Sequence, residues 1–369
     1  MPTLFDELEI GPVTLSNRIM LSPMCQYSAQ DGVPDDWHLA HLLQLAIGGM
    51  GLVMTEATHV SRQGRISPHC LGLYSDTCET SLTRIIRAIR RQRDCPIGIQ
   101  LAHAGRKGAS HRPWDGGGPL PPQQTWQTVA PSAIPHDAGW QTPQALDTHG
   151  LAAVKNEFVT ATQRADRIGF DVIELHAAHG YLLHEFLSPH ANQRTDEYGG
   201  TAEARRRYPL EVFDAVRHVW PSTKALGLRV SATDYIPSGI TTQEVIEFVA
   251  AARDRGCDFV DVSGGGVAAE QQIDLRPGYQ VDYATELKTT VELPTFTVGL
   301  VTSPTQANEI ITSGRADGVA LARAFLRNPR WVWDAADELG ADVYCPPQYE
   351  RGRSPRFIAG VARPPLTRE

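Results

Sequence analysis

No two cysteines of this chain stand at CxxC spacing. The six thiols lie at positions 25, 70, 78, 95, 257 and 345, a scatter that argues against a zinc site or a disulfide framework and points to a reducing, cytoplasmic compartment. Long hydrophobic runs are missing too. The greasiest stretch, LLQLAIGGMGLVM, is interrupted by glycines and falls short of the roughly 20 residues that a bilayer span needs. The opening MPTLFDELEIGPVTL has neither a basic n-region nor an apolar h-region, so no secretory leader is expected. Basic charge is in deficit, with 34 Lys plus Arg against 42 Asp plus Glu and a net charge of −8. The positive footprint of a nucleic-acid binder is absent, and small-molecule chemistry is the better expectation.

What is present is ordinary globular material: 41% hydrophobic and 21% charged residues over 369 positions, enough to bury a large core without staples. Length alone would allow two domains, but α/β barrels run long as one. Eight short apolar runs, at 18–24, 51–60, 97–105, 171–180, 225–234, 259–266, 295–302 and 317–325, read as strands, several apolar throughout as strands covered on both faces should be. Helical patterns fall near 36–47, 80–93, 151–168, 205–219, 242–255, 282–290, 303–313 and 329–339. The clearest carries Leu151, Val154, Phe158, Ala161, Ala165 and Ile168 on one stripe, with Gly169 as its C-cap. Ser303 and Pro304 make an N-cap and N1 pair. This alternation predicts an α/β fold, a (β/α)8 TIM barrel with a long loop excursion after strand 3, spanning 1–369 as one domain. Residues 108–147, rich in Gly, Pro and Trp, form that excursion, read as an active-site rim beside the plainer reading of a solvated insertion. A Pro/Arg-rich tail follows at about 346–369, where fraying is the default and docking on a partner the alternative.

Barrels carry their chemistry at the C-terminal ends of the strands. The fourth run, within ELHAAHGYLLHEF, brings His176, His179 and Tyr181 to that rim. The HxxH spacing suits zinc, but neither HExxH nor a carboxylate cluster accompanies it. A structural role as hydrogen-bonded barrel histidines is a second reading. The third is a pair of imidazole N–H donors converging on a carbonyl or nitro oxygen, with the Tyr181 phenol as proton donor. Cys25 ends the first strand with Tyr27 just beyond it, and no neighbouring base marks the thiol as a hydrolase nucleophile. The third strand ends with Gln100, His103, Arg106 and Lys107, and the fifth buries Arg229, which implies an anionic partner. Gly299, Ala322 and Arg323 follow strands seven and eight, where barrels commonly seat a phosphate. Together these outline a long ligand with a phosphate at one end and a polar ring at the other, the shape of a phosphorylated flavin.

The stretches NRIMLSPMCQYS, EATHVSRQGRI, GIQLAHAGRK, DVIELHAAHGYLLHEFLSPHANQRTDEYGG, LRVSATDY, VGLVTSP, RADGVALARAFLRNP and QYERG resemble the old yellow enzyme family of FMN-dependent ene-reductases, in its xenobiotic reductase and thermophilic-like branch. The likeness covers nearly the whole chain. It implies one tightly bound, non-covalent FMN lined by Ser22, Pro23, Met24 and Cys25, met by Ala57 and Gln100 on its pyrimidine side and by Arg229 at its N1/O2 edge, with Gly299, Ala322 and Arg323 at the phosphate. It also implies that Cys25 tunes the flavin, that His176 and His179 grip the substrate's activating group, that Tyr181 donates the proton and that Tyr27 adds a second phenol. NADPH or NADH would bind transiently, so no Rossmann fingerprint is needed. Activated alkenes would be the substrates, with no nucleic acid and no membrane as partner. A homodimer or homotetramer is implied, with Arg351 inserted from a neighbouring subunit. Ala322 stands where relatives commonly carry glycine, and the segment 108–130 is longer than in compact members. Other classes are separable by simple observations: a dihydrouridine synthase-type RNA modifier by a gel shift with transfer RNA, an idle flavin-binding protein by failure to oxidise NADPH with an enone, and a cofactor-free phosphosugar lyase by a colourless preparation.

Overall fold

Eight short strands pair in parallel, each with the next along the chain and the last with the first, so the ladder closes into a barrel. In this computed structural model, which describes residues 1–353, the strands are β1 Ile19–Leu21, β2 Leu52–His59, β3 Ile97–Ala102, β4 Val172–Ala177, β5 Ala225–Ser231, β6 Phe259–Ser263, β7 Thr295–Thr297 and β8 Gly318–Leu321. All eight expected runs contain a strand, but most ladders stop earlier than the apolar pattern does. Pattern alone does not mark where the backbone leaves its hydrogen bonds to build loops. Pro23, with no N–H to give, already lies beyond β1.

The crossover helices are α1 Asp36–Ala46, α2 Asp76–Gln92, α3 Thr148–Ile168, α4 Ala202–Val219, α5 Thr242–Arg253, α6 Val281–Val291, α7 Pro304–Thr312 and α8 Trp331–Leu339. Side chains of Ser75, Asp147, Thr201, Thr241 and Ser303 accept from early backbone N–H groups, which is why each helix starts where it does. Gly169 closes α3 at φ +94°. Two short helices, Leu182–Leu187 and Arg323–Arg327, follow β4 and β8; they are too brief to leave a periodic stripe, and the expected strand at 317–325 ends inside the second of them. None of the described helices is long and apolar enough to cross a membrane.

Inside the barrel the side chains stack in layers. Met20, Leu52, Met54, Val172, Phe259, Phe296 and Ala320 fill the lower one. An N-terminal hairpin, Leu8–Ile10 with Val13–Leu15, closes the bottom beneath it and adds Leu8, Ile10 and Leu15 to the same cluster. Glycines make room for these large groups: a Cβ at Gly98 would stand 2.2 Å from the Met54 sulfur, and one at Gly227 2.4 Å from the Phe259 ring. Two residues further up the strands the inward positions turn polar. Period two carries Gln100, Glu174, Arg229 and Asp261 to the same side as Gly98, Val172, Gly227 and Phe259. A register shift in β2 between Met54 and Ala57 re-aims that strand at the same height. The excursion after β3 contains the turns Gly105–Lys107 and Pro113–Asp115 and a two-residue parallel ladder, Val129–Ala130 with Gln144–Ala145. Its Trp114 meets the Tyr27 ring edge-on at 5.7 Å, so the excursion touches the barrel mouth.

Candidate active site

The end of β4 carries most of the site's shape. After His176 and Ala177 the chain reverses through two left-handed residues, His179 at φ +60° and Gly180 at φ +71°. Tyr181 then starts the short helix Leu182–Leu187. The reversal folds three rings together: His176 lies 5.1 Å from His179 and 4.9 Å from Tyr181, both edge-on. Left-handed backbone at a non-glycine residue costs about 1–3 kcal/mol and persists only where its surroundings hold it. Here the His179 N–H donates to Ser231 Oγ at 3.0 Å, and its carbonyl accepts from the Lys107 ammonium at 2.7 Å. The same ammonium donates to the Gly266 carbonyl at 2.7 Å. Gly266 must be glycine, since a Cβ there would lie 2.5 Å from His179 Cα. Arg106, fully buried, donates to the Val267 carbonyl at 2.8 Å. Arg106 and Lys107 therefore tie the loop after β6 to the loop after β4.

Burial first, then the Arg229 charge, holds both His176 and His179 well below the ordinary histidine pKa, so both rings are neutral. His176 Nδ1 accepts the Ala178 N–H at 3.3 Å, which leaves its proton on Nε2. That Nε2 stands 3.4 Å from His179 Nδ1, and His179 Nε2 lies 2.7 Å from Ser263 Oγ. Burial raises the Tyr181 phenol above its usual pKa, and the Lys107 ammonium sits 5.1 Å over its ring. Lys107 itself is pulled down to about 8 by burial.

Cys25 and Tyr27, from the loop after β1, pack with Tyr181 around Ile66, Cys70 and Ala104. Burial, then Cys70 and Glu56, pushes the Cys25 thiol well up; it is a thiol and not a thiolate. Tyr27, at φ +49°, is likewise held protonated by burial. Glu56 anchors this loop: its Oε2 accepts the Gln26 N–H at 3.0 Å, and burial raises its carboxyl to about 8.

Below the rim, Ala57 and Gln100 are register partners on β2 and β3, and Gln100 donates to Glu174 Oε1 at 2.7 Å. Arg229 donates to Ser22 Oγ at 3.1 Å, while its Nε stands 3.2 Å from Asp261 Oδ2. The angle at that contact is too poor for a hydrogen bond, so the pair is a charge contact. The anion inferred from a buried Arg229 is thus met from within the chain, and the arginine alone does not demand an anionic ligand. Burial, then Asp261, raises Glu174 to about 8, and burial raises Asp261.

From Ser22 and Arg229 a cleft runs to the loops after β7 and β8. Among the described residues its wall carries two guanidinium groups, Arg229 and Arg323, and no carboxylate. Gly299, at φ +105°, shapes the turn, and a Cβ there would press to 3.0 Å on the Gln280 nitrogen. Ala322 lines the cleft at φ −115°, outside the left-handed region that favours glycine. A positively lined slot, leading from a buried polar floor to a backbone cradle, suits the phosphate-bearing arm of a phosphorylated flavin. Pro23 and Met24 follow Ser22 in the chain and are half-buried. Arg351 lies exposed in the last described helix, Glu350–Arg353; its subunit exchange concerns a partner chain. Glu56, Glu174, Asp261, Ser263 and Gln280 escaped the sequence reading. Period two did signal Glu174 and Asp261, as the acids inside DVIELH and FVDVSG. Among the described residues, no three or more His, Cys, Asp or Glu side chains gather where they could hold a metal ion.

A family model described as NADH:flavin oxidoreductase / NADH oxidase matches residues 3–341. An NADPH dehydrogenase from Geobacillus thermodenitrificans is 44% identical over 351 residues, covering 95% of this chain and 98% of its own. One from Bacillus subtilis is 40% identical over 351 residues, at 95% and 98% coverage. Among solved structures, morphinone reductase matches with a TM-score of 0.78 at 26% identity, over 97% of this chain and 93% of that one.

Proposed function

The chain belongs to the NADH:flavin oxidoreductase / NADH oxidase family, whose cofactor is FMN, and from that premise we propose that it reduces the activated C=C bonds of α,β-unsaturated carbonyl or nitro compounds at the expense of NADPH or NADH. The observation that carries this reading is the meeting of His176 Nε2 and His179 Nδ1 at 3.4 Å beside a protonated Tyr181. When bound, FMN supplies the hydride. Ser22, Pro23, Met24 and Cys25 would line the ring, Ala57 and Gln100 its pyrimidine side, and Arg229 its N1/O2 edge, while Gly299, Ala322 and Arg323 would hold the phosphate. His176 and His179, both uncharged, donate N–H groups to the substrate oxygen and stabilise the charge it gains. Tyr181 keeps its proton on Oη at neutral pH and releases it to Cα. Tyr27 offers a second hydroxyl, and the Trp114 edge on its ring helps to exclude water. In this reading the chain works as one FMN-binding unit in the cytoplasm, in a homodimer or homotetramer whose Arg351 enters the neighbouring subunit's substrate pocket. The excursion at 108–147 forms the rim.

An absorbance spectrum tests the reaction class in one cuvette. Flavin bands bleached by NADPH and restored by 2-cyclohexen-1-one support it; a colourless protein, or bands that the enone leaves bleached, would not.

Two further outcomes follow from the electrostatics. Because His176 and His179 are already neutral, the Kd of 2-cyclohexen-1-one for the oxidised holoenzyme should stay flat from pH 7 to roughly 5.5, across the ordinary histidine pKa of about 6.5 and below the titration of Lys107 at about 8. Binding that weakens as the pH falls through 6.5 would show a ring gaining a proton. Arg229→Ala should lose FMN, and should also lose about 3–5 kcal/mol of stability, because Asp261 is left buried without its cation. Adding Asp261→Asn should return most of that stability without returning the FMN. A double variant that purifies fully loaded would remove Arg229 from the cofactor site.

A further inference from the structure

Neutrality leaves open which nitrogen of His179 carries the proton, and the proposed grip on a carbonyl oxygen depends on it. A neutral imidazole has one donor and one acceptor. On His176 the Ala178 N–H, which can only donate, occupies Nδ1 and fixes the proton on Nε2. His179 has no such backbone partner at its ring; what meets its Nε2 is the Ser263 hydroxyl at 2.7 Å. A hydroxyl can give one hydrogen bond and take two. Gln280 Nε2 approaches Ser263 Oγ at 3.5 Å. An amide N–H only donates, so Ser263 Oγ accepts there, and its own proton stays free to turn to His179 Nε2 once a substrate oxygen draws the ring proton to Nδ1.

We propose that Ser263 is a positioning residue for the substrate grip: its hydroxyl, taking a hydrogen bond from Gln280, donates to His179 Nε2 and keeps the ring proton on Nδ1, facing the substrate oxygen. In this structure the two nitrogens meet at 3.4 Å, close enough for His176 Nε2–H to donate to His179 Nδ1; with the proposed tautomer both become donors, a fork that a substrate oxygen would close. With the other tautomer His179 would donate to Ser263 and accept from His176, and the substrate would meet one donor instead of two. Ser263 is 4% exposed at the end of β6 and also lines the cleft from Ser22 to Arg323. It therefore links the cofactor cleft to the substrate grip. The backbone of His179 is fixed independently, by Ser231 and Lys107, so losing the Ser263 hydroxyl frees the proton without freeing the loop.

The inference rests on the ene-reductase reading, and its test separates the two. Holoenzyme labelled with ¹⁵N in its histidines is saturated with 2-cyclohexen-1-one in the oxidised state, and the imidazole nitrogens of His179 are assigned as protonated or bare. The expected result is a protonated Nδ1 and bare Nε2 in the native protein, an Nε2-protonated population in Ser263→Ala, and recovery in Ser263→Thr. At equal FMN occupancy the enone Kd should rise about tenfold in Ser263→Ala, as expected for one lost hydrogen bond, and return in Ser263→Thr. An enone-bound native enzyme with Nε2 protonated overturns the inference even if Ser263→Ala fails to fold. So does an alanine variant unchanged in both tautomer and Kd. A native holoenzyme that neither binds nor reduces the enone brings down the ene-reductase reading first, and this inference with it.

Discussion

Tyr181→Phe should slow the alkene-consuming half of turnover by about 10²–10⁴-fold, the usual contribution of a positioned general acid, while the NADPH-consuming half stays near its native rate. The substitution removes one oxygen and keeps the ring that stacks edge-on with His176 at 4.9 Å and lies under the Lys107 ammonium at 5.1 Å. Burial of the phenol holds its proton in place well above neutral pH, so the native residue is a loaded donor throughout the working range. Cys25 and Tyr27 are raised by the same burial and are protonated groups packed nearby; a variant that retained fast alkene reduction would point to one of them. Stopped-flow traces in which both halves slow equally would show that the oxygen shapes the site instead of supplying the proton.

His176→Ala and His179→Ala should each lower kcat/KM for 2-cyclohexen-1-one by about 10²–10³, the cost measured for one oxyanion donor in other enzymes. The double variant should lose much less than the product of the two, because both nitrogens serve one oxygen and a fork with one tine is already broken. FMN content should change little in either variant, since neither ring lies along the cleft that runs from Ser22 to Arg323. Losses that multiply, or that vanish for one of the two histidines, would replace the fork by a single donor.

The barrel was legible because burial on both faces leaves a strong mark: β4 and β5 are continuous apolar runs broken only at inward positions, and Gly169 and Ser303 punctuate their helices as expected. His176, His179 and Tyr181 were legible as well, being neighbours in one motif. Residues that act across the barrel were not. Ser263 serves His179 from 84 positions away, and Gln100 meets Glu174 from 74 positions away. A serine in a glycine-rich turn carries no sign of its partner until the strands are closed. Arg229 shows the opposite failure: its burial was read correctly, but its counter-ion was sought in a ligand although Asp261 lay one strand further along. Where Tyr181 points was set by the left-handed turn at His179, and the Ser231, Lys107 and Gly266 contacts explain why that strained turn holds.

The account stands most directly on a crystal structure of the oxidised holoenzyme soaked with 2-cyclohexen-1-one. It predicts the ketone oxygen in the gap between His176 Nε2 and His179 Nδ1, within hydrogen-bond reach of both, with the Tyr181 hydroxyl beside Cα and the flavin along the cleft to Arg323. An enone whose oxygen is held elsewhere, with the two imidazoles still bonded to each other, would contradict it.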